Sequence, residues 1–136
     1  LGAHVYVASI GGAQLGLGAS FVQMRGSSPA ASARIRLLAP QVSINFGSGN
    51  GWSHLSAGVG TARVDTELRG EVTGTRESGS LRTVNFGGGA RWFLTDRAAV
   101  GSDVRFHRMA AGEPRGAAAG TPGGTLVTVS VGVSVR

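Results

Sequence analysis

Residues 126–135 read LVTVSVGVSV, and this stretch decides the fold. Val127, Val129, Val131, Val133 and Val135 take every second position, with Thr128, Ser130, Gly132 and Ser134 between them. A period of two places the valines on one face of a β-strand and the small polar residues on the other. Upstream, Val84, Phe86, Ala90, Trp92 and Leu94 alternate with Thr83, Asn85, Gly87, Gly89 and Arg91. Val100, Val104 and Phe106 then alternate with Gly101, Asp103, Arg105 and His107. The pattern extends towards the N-terminus through Leu15–Phe21, Val42–Phe46 and Leu55–Val59. The first segment, Ala3 to Ile10, is less regular, with Val5 and Val7 opposed by His4 and Tyr6. Almost nothing carries helical spacing, so the expected class is all-β, with about seven strands.

A chain of 136 residues implies a single domain over residues 1–136. At 41% hydrophobic and 15% charged residues it is too apolar to be a disordered segment. The 24 glycines follow no triplet period, which excludes collagen. The absence of cysteine excludes disulfides, thiolate metal sites and a cysteine nucleophile. No apolar run reaches the length of a transmembrane helix. No secretory leader is visible and the chain does not begin with Met, so it reads as a processed or truncated mature form.

The composition of the polar face separates two all-β architectures. A soluble sandwich usually carries long charged side chains on its outer face, and its two apolar faces meet each other. Here the polar face is built of Gly, Ser, Thr and Asn, which suits the narrow interior of a small barrel. The apolar face, represented by Val84, Phe86, Trp92, Val104, Phe106, Val129, Val131 and Val133, then points outward to lipid. The breaks support an up-and-down barrel of about seven to eight antiparallel strands, because short ones alternate with longer ones. Gly11-Gly12, Gly47 to Gly51 and Thr95 to Arg97 are short; Gly26 to Ala30, Thr66 to Ser80 and Ala110 to Gly123 are longer. Trp52, Trp92 and Phe93 flank short turns, where an interfacial aromatic girdle is expected.

The stretch NFGGGARWFLTDRAAVGSDVRFHRM, Asn85 to Met109, resembles the glycine-rich hairpin of the eight-stranded bacterial outer-membrane β-barrel family, within the porin-like superfamily. LLAPQVSINFGSGNGWSHLSAGVGTARV resembles the hairpin preceding it in such proteins, and the likeness, one of pattern, covers about residues 30 to 136. It implies an outer-membrane or cell-surface location in a bacterium and a structural or adhesive role, with no shared catalytic residue. This chain departs from the family in ending in Arg136, where an aromatic is usual, and in its odd strand count. Either one strand is undetected, a first strand has been removed, or a neighbour supplies one through an open edge.

Several constellations invite a chemical reading. Asp103, Arg105 and His107 share one face and, with Arg91 on the neighbouring strand, form either a proton or ion path or a charge-satisfying lumen network; the network is favoured. His4, His54 and His107 lie on polar faces without metal-ligand spacing, so no metal or other cofactor is expected. No serine stands out as a nucleophile, although Asp103 and His107 could orient one, and no catalytic residue is assigned. Gly87-Gly88-Gly89 lies mid-strand and lacks the lysine of a phosphate loop.

With no lysine, all 13 basic residues are arginine, against seven acids, for a net charge of +6. The arginines look scattered, which argues against nucleic acid; many fall near strand ends, as a solvated rim or as contacts to lipopolysaccharide phosphates. The expected function is a non-catalytic outer-membrane barrel with a structural role, whose partners are outer-membrane lipid or lipopolysaccharide. The alternatives are an extracellular filament subunit that self-associates through an open strand edge, and a small-ligand-binding closed barrel.

Overall fold

The alternation is realised as strands along the chain. A computed structural model describes residues 2–68, 74–77, 79–113 and 120–135. The strands are β1 (Gly2–Ile10), β2 (Ala13–Ser27), β3 (Ala31–Ser48), β4 (Gly51–Leu68), β5 (Gly74–Glu77), β6 (Leu81–Thr95), β7 (Ala98–Met109) and β8 (Gly124–Val135). They form one antiparallel sheet in the order β1-β2-β3-β4-β6-β7-β8, and β5 pairs with the far end of β4. The architecture is therefore an up-and-down meander of seven strands, and no helix occurs among the described residues.

The short connections carry the chemistry that tight hairpins require. Gly11 and Gly12 have φ of 54° and 86°, the two positive values of a type I′ turn. Gly49 opens the β3–β4 turn at φ 66°. At the β6–β7 turn, the Thr95 hydroxyl accepts from the backbone N–H groups of Arg97 and Ala98. The stretch from Thr66 to Ser80, expected to be a loop, instead extends β4 to Leu68 and adds β5 beside it. Within the two long connections, residues 69–73, 78 and 114–119 lie outside the described residues.

The sheet curls into a half-barrel. Its concave side chains reach one another across intervening strands: Tyr6 on β1 meets Asn45 on β3, and Arg105 on β7 meets Gln41 on β3. Glycines make this possible where strands approach closely. A Cβ on Gly89 would stand 2.2 Å from the carbonyl oxygen of Ser102, and one on Gly87 would stand 2.5 Å from that of Val104. β1 and β8 both run towards the short-turn end, and no described strand pairs with the outer edge of either.

Face polarity inverts along the strands. Near the short turns the convex face is apolar and the concave face polar. On β3, Leu38, Val42, Ile44 and Phe46 are exposed while Gln41, Ser43 and Asn45 are buried. Towards the long connections the same strand reverses: Leu37 is buried and Ile35 packs with it, while Arg34 and Arg36 are exposed. Leu37, Ala62 and Leu81 form a small apolar core on the concave side at this end, with Val22, Ile35, Val64, Met109 and Leu126 against it.

Candidate functional site: a polar concave groove and a two-toned convex face

The concave groove is built by alternation on the central strands. In register across the sheet, Asn45 pairs with His54 and His54 with Gly89, which in turn opposes Asp103. Because Gly89 has no side chain, His54 passes over it, and its Nε2 lies 3.0 Å from Asp103 Oδ2. Arg105 Nη2 lies 3.5 Å from the same carboxylate oxygen. Arg105 Nη1 also donates to Gln41 Oε1 and, at 3.2 Å, to Asn85 Oδ1. This buried guanidinium thus has both an anionic partner and neutral acceptors, which offsets much of its desolvation.

Of the residues expected to line the lumen, the structure brings Asp103 and Arg105 together with His54. His107 is completely buried on the same face, and neither of its ring nitrogens has a hydrogen-bond partner among the described residues. Arg91 lies at the groove's rim and stacks over Trp52, 5.1 Å from the ring centroid. Trp52 therefore does not belong to an outward girdle. It shares the parity of His54, whose ring centre is 5.6 Å away, and faces the groove. Trp92 is exposed on the convex face, and Phe93, next in sequence, has the opposite parity.

The groove, about 760 Å³, is bounded by His4 and Tyr6 of β1 at one side and Thr128 and Ser130 of β8 at the other. Asp103 partners His54, not His107, and no serine or threonine hydroxyl is hydrogen-bonded to either imidazole among the described residues. No group of three or more His, Asp or Glu side chains among the described residues is arranged to hold a metal ion. The sequence had placed Gln41 and Asn45 on a polar face without a role. Gln41 finds its partner three strands away and Asn45 two strands away, beyond the reach of local periodicity.

The convex face has two zones. Val84, Phe86, Trp92, Val104, Phe106, Val129, Val131 and Val133 are all exposed on it, Val131 to 83%. Phe86 and Phe106 stack with centroids 5.1 Å apart. Beyond this apolar zone, Arg25, Arg34, Arg36, Arg63, Arg82 and Arg108 are exposed on the same face of β2, β3, β4, β6 and β7. Arginines that look scattered in the sequence thus follow the ends of the apolar strips, on a line that steps across the register from Arg25 and Arg34 to Arg108.

These features define a class: an antiparallel up-and-down half-barrel, apolar outside and polar inside over its short-turn half. No family model matches the chain, and no curated protein is significantly similar to it.

Proposed function

We propose that the chain is a non-catalytic β-barrel of the bacterial outer membrane with a structural role. The observation carrying this reading is the polarity inversion. A protein wholly in water has no reason to expose a continuous apolar strip over one half of a strand and to bury apolar side chains over the other half. A strand that leaves lipid for water has that reason. The strips Leu38 to Phe46, Val84 to Leu94 and Val127 to Val135 each match the ~9–11 residues that a tilted strand needs to cross the hydrocarbon. The short turns then sit at one surface, and the long connections, with the core of Leu37, Ala62 and Leu81, project from the other.

Lipid cannot hydrogen-bond a bare strand edge, so the edges of β1 and β8 must be covered in the membrane. Because these edges run in the same direction, one strand antiparallel to both makes the count even and every pairing antiparallel. The same open edges favour a second reading, a filament subunit joined to its neighbours by strand exchange. Negative-stain microscopy beside detergent partitioning separates the two. Single particles that require detergent are expected. Detergent-free polymers would overturn the membrane reading in favour of assembly.

A further inference from the structure

The arginine belt sets like charges against one another in the sheet. Arg25 pairs directly opposite Arg34, and Arg36 directly opposite Arg63. Like charges in directly opposed positions destabilise a sheet. Carboxylates relieve part of this: Asp65 lies directly opposite Arg34 and contacts Arg36 Nη2 at 2.6 Å, while Glu67 accepts from the Ser32 hydroxyl. The belt also borders a cleft of about 470 Å³, lined by Arg25, Arg34, Arg36, Ser32, Asp65 and Glu67. Its arginines cap the apolar strips of their own strands along a line that steps across the register, since Arg82 lies level with Leu38 and Arg108 with Val84. Arg36 stands two residues from Leu38 on the same face, Arg82 two from Val84 and Arg108 two from Phe106. That is roughly 7 Å along each strand.

We propose that this belt binds the phosphate groups of lipids in the leaflet facing the long connections, so that phosphates lie between the opposed arginines. The proposal rests on the membrane reading and adds the ligand chemistry and the direction of insertion. A guanidinium grips a phosphate through two parallel N–H···O bonds, a geometry that lysine lacks. An anion shared by Arg25 and Arg34, or by Arg36 and Arg63, turns a repulsive pair into a clamp. The position just above an apolar strip selects an amphiphile, whose acyl chains lie along Leu38, Val84 and Phe106 while its phosphate meets the belt.

The test uses the protein reconstituted in phosphatidylcholine nanodiscs and titrated with diphosphoryl lipid A or with the same lipid stripped of its phosphates. Insertion is scored separately, by resistance to alkaline carbonate extraction. The phosphorylated lipid is expected to bind at least tenfold more tightly, and added salt to weaken it. The triple substitution Arg25→Gln, Arg34→Gln, Arg36→Gln should abolish the preference, whereas Arg97→Gln, at a short turn, should keep it. Equal binding of the two lipids by inserted protein, or a triple variant that behaves as wild type, overturns the belt and leaves the membrane reading standing. Competition by pyrophosphate at the same concentration as the lipid reassigns the belt to free anions and overturns the lipid assignment. Failure to insert overturns both.

Discussion

Replacing Val42 with arginine probes the convex face where the alternatives differ most. Val42 is 52% exposed, lies between Leu38 and Phe46 on the β3 strip, and is flanked in register by Leu17 and Ala57. If that strip faces acyl chains, an arginine near the bilayer centre costs about 2–4 kcal/mol. At about 1.4 kcal/mol per decade, the folding equilibrium falls by roughly thirty- to seven-hundred-fold. If the strip faces water, a half-exposed position away from any buried network tolerates the change within about 0.5 kcal/mol. Gln23→Arg is the matched control, because Gln23 pairs with Arg36 in the belt, where an added arginine costs about 0–1 kcal/mol. The assay is urea-induced unfolding from phosphatidylcholine vesicles, followed by tryptophan emission. Equal midpoints for Val42→Arg, Gln23→Arg and the wild type would refute the reasoning.

Other substitutions test the fold around the groove. Leu37→Ala should cost about 2–4 kcal/mol, since Leu37 is 1% exposed within the apolar core; urea titration reads the loss. Gly89→Ala should cost roughly 1–3 kcal/mol and displace His54 from Asp103, because the new Cβ meets a backbone oxygen; the His54 imidazole resonances report the displacement. Gly26→Ala, where the added methyl meets open space, should be neutral or slightly stabilising in the same titration. Gly49→Ala should lose about 1–2 kcal/mol although nothing crowds its Cβ, because φ of 66° is strained for an L side chain; a matched shift in the thermal midpoint checks it.

The strands with strict alternation were legible from sequence because period two is a local property. Val127 to Val135 and Val84 to Leu94 need only their own residues to declare their faces. Trp52 was readable too, since counting back from His54 puts it on the polar parity; the turn beside it suggested a girdle instead. β5 was hidden because Gly74–Glu77 has no apolar alternation and forms only by pairing with the extended end of β4. The inversion was obscured for a different reason. Ile35 and Leu37 keep the parity of Gln41 and Ser43 but change polarity, and a search for alternation ends where apolar residues change face. The arginine belt required the register, because Arg25, Arg36 and Arg82 are remote in sequence and fall on one diagonal line of the convex face only once β2, β3, β4 and β6 are paired.

The most direct measurement of the central claim is fluorescence quenching by brominated acyl chains, with the two tryptophans read separately as Trp52→Phe and Trp92→Phe variants in lipid vesicles. Trp92 projects from the convex face and Trp52 into the groove. The account predicts strong quenching of Trp92 by bromines near the headgroup end of the chains and weak quenching of Trp52. Equal quenching of both, or none of Trp92 in vesicle-bound protein, would contradict a convex face that meets lipid.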